Sequence, residues 1–450
     1  MKRCNLVRSK NMTLIFALSA LFSSSVFAES VDFKKSVQKA LQQNPQMDIS
    51  LARIQQAESM LKKANAGRLP QIKLSISAAN SNNALNAFGM KVQQQGVVNA
   101  DMSPSALNNP SGTTDFNTRV EMTLPIWNGG KISGYQNQAE VMIQAAKQGD
   151  LAMQQFLTYN VYQAYESIHA ARAYIKVAEQ AKRTADDFVR TTQNLVDQGV
   201  VVRSELLSAK VHQSMAEAAL LKARGQEQIA LESLKVLMND QPDSNLQVAE
   251  RIDLAMPAES LEALLQMAMD SNPSIAAKRK ESDSFRYATD VAKADHYPSF
   301  NMVMKQEWND DSLALNNGSY TVAGVVSWKL TDFGVTQSGV DLSHALERQK
   351  RADTKIEENR IRLEVQTYWH KVQTAKEQVV ADVLAVEYAS EAQNLIVKRY
   401  KGGVATITEV LASQTQLDKA KAELVSAKFD VNIYKAKLRL ATGTMDINQL

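Results

Sequence analysis

Gln71-Ile72-Lys73-Leu74-Ser75-Ile76-Ser77-Ala78 and, 228 positions later, Ser299-Phe300-Asn301-Met302-Val303-Met304 decide how the rest of this chain is read. Ile72, Leu74, Ile76 and Ala78 alternate with polar residues, and Phe300, Met302 and Met304 repeat the pattern. Each run has a companion. Phe116, Val120, Met122, Leu124 and Ile126 alternate with Asn117, Arg119, Glu121 and Thr123, and Tyr320, Val322, Val326, Trp328 and Leu330 form a series that only Gly324 interrupts. A period of two predicts strands with one apolar and one polar face. Runs of about ten residues suit tilted strands in a lipid bilayer. Trp127, Trp308 and Trp328 fall at strand ends or late strand positions, where interfacial belts use tryptophan.

The two pairs of strands belong to an internal repeat. Asn44-Pro45 recurs as Asn272-Pro273 and Pro70 as Pro298, all at the offset of 228. Beyond the strands the offset becomes 204: Asn128-Gly129-Gly130 faces Asp332-Phe333-Gly334, and Gly199 and Glu205 match Gly403 and Glu409. A 24-residue difference in one loop reconciles the two offsets. That loop lies between Ser81 and Asp115, and its counterpart near Asp310 to Ser319 is short. The chain therefore reads as a leader over 1–28, a first repeat over 29–250 and a second over 251–450. Each repeat is expected to hold a helix, two strands, a very long helix, a turn and a helix.

The long helices carry a heptad-like stripe. Leu157, Val161, Ala164, Ile168, Ala171, Ile175 and Ala178 are spaced by four and three, and Ile361, Val365, Tyr368, Val372, Ala375 and Val379 repeat the stripe. Such spacing predicts supercoiled packing, with alanines permitting close approach. A continuous helix from Lys131 to Asp197 would be about 100 Å long at 1.5 Å per residue, beyond what a globular domain needs.

At the amino terminus Lys2, Arg3, Arg8 and Lys10 precede an apolar run from Leu14 to Phe22, and Val26-Phe27-Ala28 offers small residues for cleavage. This is the pattern of a secretory leader. Its removal from the 450-residue chain would leave 422 residues and take the formal charge from +3 to −1. Near-neutral charge gives no electrostatic case for nucleic acid. Cys4 would leave with the leader, which excludes disulfides and thiolate metal sites. No later stretch is apolar for long enough to form a transmembrane helix.

The fold expected is mainly α with a membrane β-barrel portion, built on a tandem-duplicated protomer with four strands per chain. Four strands cannot close a barrel, because the smallest need about eight and an open edge in lipid strands unpaired backbone groups. Further copies of the chain must complete the sheet. Ile72, Leu74, Ile76, Met122, Leu124, Met302, Met304, Val326 and Trp328 are the expected contacts with outer-membrane lipid. Ser75 and Asn301 are expected to face the lumen.

Leu124-Pro125-Ile126-Trp127-Asn128-Gly129-Gly130 is similar to the strand-to-helix junction of the TolC-like outer-membrane efflux family. Tyr400-Lys401-Gly402-Gly403-Val404-Ala405-Thr406-Ile407-Thr408-Glu409-Val410-Leu411 resembles that family's periplasmic tip. The resemblance covers essentially the whole chain beyond the leader. It implies a homotrimer with a twelve-stranded barrel above a helical tunnel, meeting a periplasmic adaptor and an inner-membrane transporter. It also places Gly199, Val200, Gly403 and Val404 in the turns that contact the adaptor, and Glu205, Glu409 and Tyr400 at a periplasmic gate. Ala405 and Ala412 stand where related channels carry a basic latch residue and a second acidic ring. The gate glutamates have a second reading as helix-start residues, with Ser204 and Thr408 as caps.

No catalytic constellation is present. His169, His212, His296, His344 and His370 lack metal-ligand spacing, and Gly129-Gly130-Lys131-Ile132-Ser133 lacks the earlier glycine of a phosphate loop. The chain reads as a passive export duct without cofactor, for small toxic compounds or for secreted proteins. A periplasmic coiled-coil scaffold is the rival reading.

Overall fold

Asn44 and Asn272 occupy equivalent corners of the chain. Each ends one helix and starts the next, its side chain accepting from the backbone of Gln46 at 2.9 Å or of Ser274 at 2.9 Å. Proline follows at the first helical position, where a missing N–H costs nothing. Each asparagine also donates 2.9 Å to the end of a distant helix, Asn44 to the Leu237 carbonyl and Asn272 to the Ala441 carbonyl.

The computed structural model describes residues 30–241 and 246–447, so the leader expected over 1–28 lies outside the described residues. The first elements are β1 (Ser30–Val31), α1 (Phe33–Gln43), α2 (Pro45–Ala66), β2 (Gln71–Ser81), α3 (Ala84–Gln93) and α4 (Pro104–Asn108). They are followed by β3 (Thr113–Trp127), α5 (Lys131–Asp197), α6 (Arg203–Leu237) and β4 (Gln247–Val248). Then come α7 (Leu261–Ser271), α8 (Pro273–Lys293), β5 (Ser299–Asp310), β6 (Gly318–Ser327), α9 (Val335–Lys401) and α10 (Ile407–Thr442). Helices α5 and α9 are both 67 residues long and begin 204 positions apart. Among the described residues no helix is long and apolar enough to cross a membrane, which says nothing of a β-barrel.

The heptad stripe is the packing seam. Leu157, Val161, Ala164, Ile168, Ala171 and Ala178 are buried and Ile175 is half-buried; in α9 Ile361, Val365, Val372 and Ala375 are buried, Tyr368 and Val379 half-buried. The main core surrounds the middle of α5, where Phe33 meets Tyr162 and Tyr165 edge-on at 5.6 and 5.8 Å. The strand count needs a correction here. Besides the four expected strands, β1 and β4 form a short parallel pair, with Val31 opposite Val248. Two residues carry too little alternation to be read from sequence.

Residues 246–256 between the halves are stitched down. Tyr165 donates to the Glu250 carbonyl at 2.9 Å, Arg439 to the Ala255 carbonyl at 3.0 Å, and Lys435 pairs with Asp253 at 2.9 Å. Glu166, with no exposed surface, pairs with Arg251 and accepts from Asn432 at 3.0 Å.

The larger sheet is antiparallel in the order β2-β3-β5-β6. Three expected strand residues depart from the ladder: Ile126 within β3, and Trp328 and Leu330 beyond the end of β6. Ile126 is the extra residue of a β-bulge, so that Trp127 stands opposite Phe300. Pro125 has no N–H to continue the ladder, which favours the irregularity. Trp328 lies one residue past β6, because its would-be partner Pro298 likewise offers no donor. Its indole instead donates to the His296 carbonyl at 3.1 Å.

Candidate functional site: pore face and helical tip

Cross-strand register sorts the sheet into two faces. Ile72, Met122 and Met304 lie in one row, and Leu124 and Met302 in another, with Leu74 and Ile76 along β2 and Val326 opposite Phe300 on the same side. Ile72, Leu74 and Ile76 expose 72, 62 and 59% of their surface, so the described residues of one chain leave this face uncovered. The opposite face is polar. Lys73, Glu121 and Lys305 form one row, with Lys305 Nζ 3.5 Å from Glu121 Oε2. Ser75, Arg119 and Glu307 form the next, in which Arg119 pairs with Glu307. Asn117 donates 2.8 Å to Asn309 one row further. Asn301, opposite Pro125, shares the polar face. The alternation in sequence located these side chains on one face, but only the register assigns their partners.

Tryptophans mark both ends of the sheet. Trp127 and Trp328 sit at the end from which the long helices leave, and Trp127 packs edge-on against Tyr297 at 6.4 Å. Trp308 sits near the other end, opposite Thr118 and Gly318.

At the far end of the helices, two turns have the same backbone. Gly199 N–H bonds the Val196 carbonyl at 2.9 Å and Val200 N–H the Leu195 carbonyl at 2.8 Å. Gly403 N–H bonds Tyr400 at 3.0 Å and Val404 N–H bonds Arg399 at 2.9 Å. This paired closure requires a left-handed residue, and φ is +71° at Gly199 and +73° at Gly403. Val200 and Val404 are left 65 and 69% exposed.

The helices after these turns start earlier than expected, so Ser204 and Thr408 are not caps. The cap positions fall to Val202 and Thr406 because the turns close within five residues. Thr406 Oγ1 accepts from Glu409 N–H at 3.3 Å and Thr406 N–H donates to Glu409 Oε1 at 3.3 Å, a reciprocal capping box. Val202 has no side-chain oxygen, and Glu205 Oε2 is buried with no hydrogen-bond partner among the described residues. The repeat-related glutamates thus differ in environment.

Tyr400 is buried against Ile407 and Val410, with Phe188 and Leu195 of α5 packed on the cluster. Its hydroxyl lies 3.5 Å from Thr192 Oγ1 on α5. Among the described residues no hydrogen bond joins Tyr400 to Glu205 or Glu409 within one chain. Ala405 packs at the edge of the same cluster and Ala412 is exposed. Sequence reasoning missed the polar relay above the tip. Gln393 donates to Gln414 at 3.0 Å, and Gln414 donates to Asp418 at 2.9 Å. Burial pushes the Asp418 carboxyl above its ordinary range. Asp186, by contrast, is held below that range by hydrogen bonds from Gln213 and Lys182. Glutamine within a helical repeat reads as solvated surface, so nothing local marks this relay.

The family model for the outer membrane efflux protein matches residues 36–240 and 264–444, both halves of the architecture above. The chain belongs to the outer membrane efflux protein family. This outer membrane efflux protein is 21% identical to the outer membrane efflux protein BepC of Brucella suis over 392 residues, covering 83% of this chain and 85% of BepC. It is 23% identical to the outer membrane protein TolC of Escherichia coli over 460 residues, covering 98% of this chain and 88% of TolC. The solved outer membrane protein VceC of Vibrio cholerae has the same fold, with a TM-score of 0.77 at 19% identity over 91% of this chain and 96% of VceC.

Proposed function

We propose that three copies of this outer membrane efflux protein form a passive export duct, joining their sheets into a twelve-stranded barrel in the outer membrane. The observation that carries this reading is the open sheet. Among the described residues its edges β2 and β6 lack partners, one face is apolar and uncovered, and the other carries Lys73, Glu121, Lys305, Arg119 and Glu307. Closure on neighbouring copies pairs both edges, turns the apolar face to lipid and lines the lumen with charge. Detergent extraction from outer membranes should yield a compact trimer that dissociates on heating. A water-soluble monomer would overturn the reading.

Below the barrel the helices make a tunnel through the periplasm. The turns at Gly199, Val200, Gly403 and Val404 meet a periplasmic adaptor, which links the duct to an inner-membrane transporter that supplies the energy. Exposed Val200 and Val404 support this assignment, since apolar side chains on a tight turn gain by being covered. The duct itself carries out no chemistry. Glu205, Glu409 and Tyr400 form the gate at the tip, and small toxic compounds are the cargo. Loss of the protein should sensitise cells to dyes and detergents. Normal resistance with a lost secreted protein would instead assign the duct to protein secretion.

A further inference from the structure

We infer that residues 83–110 fold inward over the pore face and form an uncharged, apolar constriction at the outer mouth of the duct. The inference rests on the trimeric duct reading and adds a second narrow point, at the opposite end from the helical tip.

The connection from β2 to β3 is built. Asn83 caps α3, accepting from Leu85 and Asn86 N–H at 3.2 and 3.3 Å, and Ala87 on that helix is fully buried. From the first residue beyond α3, Gln94 Nε2 reaches β3, donating 2.8 Å to the Thr114 carbonyl and 3.0 Å to Asp115 Oδ1. Asp115 lies on the charged face, in step with Asn117, Arg119 and Glu121. Thr113 and Asp115, both on that face at the outer end, are buried at 9 and 6% exposure. Further down the same face Arg119, Glu121 and Lys305 are only half-buried. A connection splayed away from the barrel would leave the outer rows as open as the inner ones. Gln94 instead holds this one against Asp115 on the lumen side.

The chemistry of the covering segment differs from that of the pore wall. Between Asn82 and Gly112 the only ionisable side chains are Lys91 and Asp101, and they pair at 2.6 Å. Leu85, Val92, Val98 and Met102 remain 81, 50, 60 and 58% exposed. Three copies around the pore axis would present cargo with an uncharged apolar ring after the charged barrel interior. Such a ring favours amphipathic organic molecules over strongly charged ones. The β5–β6 connection, residues 311–317, is shorter and holds no helix, and it bonds back to its own strand, with Asn317 donating 3.3 Å to the Asn309 carbonyl.

Planar-bilayer recording of the full trimer tests this. Leu85→Glu and Leu85→Lys each place three like charges at the proposed ring, on a side chain exposed enough to leave folding intact. Their reversal potentials in a salt gradient should shift in opposite directions from wild type, with Leu313→Glu and Leu313→Lys in the β5–β6 connection shifting far less. Gln94→Ala, which frees the segment from Thr114 and Asp115, should raise single-channel conductance. Wild-type selectivity in both Leu85 variants, or equal shifts from Leu313, would overturn the inference while leaving the duct intact. A wild-type protein that forms no channel would overturn the duct reading, and this inference with it.

Discussion

Tyr400 Oη lies 3.5 Å from Thr192 Oγ1, with both side chains buried, and so joins the two 67-residue helices close to their C-terminal ends. Removing one hydroxyl leaves the other without its partner. Tyr400→Phe and Thr192→Val should each cost about 1 kcal/mol, while the double variant should cost less than the two together. Thermal unfolding of the trimer measures this. If the pair also holds the tip narrow, Tyr400→Phe should raise the resting single-channel conductance.

The glutamates at the tip should separate by function. Thr406→Val should lose about 1 kcal/mol, because it removes the capping box with Glu409. Val202→Thr should gain a similar amount by giving Glu205 the box its repeat-related partner already has. Glu205→Gln combined with Glu409→Gln should weaken cation selectivity and block by multivalent cations. Wild-type selectivity in that double variant would leave the two glutamates as helix-start residues.

The two faces of the sheet should tolerate charge differently. Leu74→Arg or Met302→Arg, on the apolar face, should impair trimer assembly at a cost of about 2–4 kcal/mol if the site lies near the bilayer midplane. Asn301→Arg, on the polar face, should assemble normally. At Ser75 the sign of the charge matters, since Arg119 stands directly opposite. Ser75→Glu should be better tolerated than Ser75→Arg. Heat-stable trimer recovered from membranes is the readout, and equal tolerance on both faces would refute the assignment.

Asp418 gives the tip bundle a pH dependence. Its carboxyl is pushed up by burial, against the opposing pull of Gln414, Lys421 and His212. The folded chain therefore holds that proton more tightly than the unfolded chain does. The stability this contributes is complete below the ordinary carboxylate range and is lost as pH rises through the folded value. Asp418→Asn should raise the unfolding midpoint at neutral pH and flatten its change between mildly acidic and neutral conditions. A steeper dependence in the variant would contradict the assignment.

The sequence by itself determined the periodic parts of this protein. The alternation around Leu74 and Met302 named the strands and their apolar face, and the stripe from Leu157 to Ala178 named the seam of α5. Asn44-Pro45 and Asn272-Pro273 marked matching corners, and Gly199 and Gly403 marked the tip turns. Each is a local constraint, since side-chain period, capping and positive φ depend on residues close together in the chain. What only the tertiary structure decided depends on distant partners. Register placed Arg119 against Glu307 and left Ile126 in a bulge. Packing put Thr192 beside Tyr400 and Asn432 beside Glu166, across 208 and 266 positions. The helix start moved from Ser204 and Thr408 to Val202 and Thr406 because the preceding turn sets where the first helical hydrogen bond forms. The inward fold of residues 83–110 was equally hidden, because an uncharged connection reads the same whether it lies against a pore wall or extends into solvent.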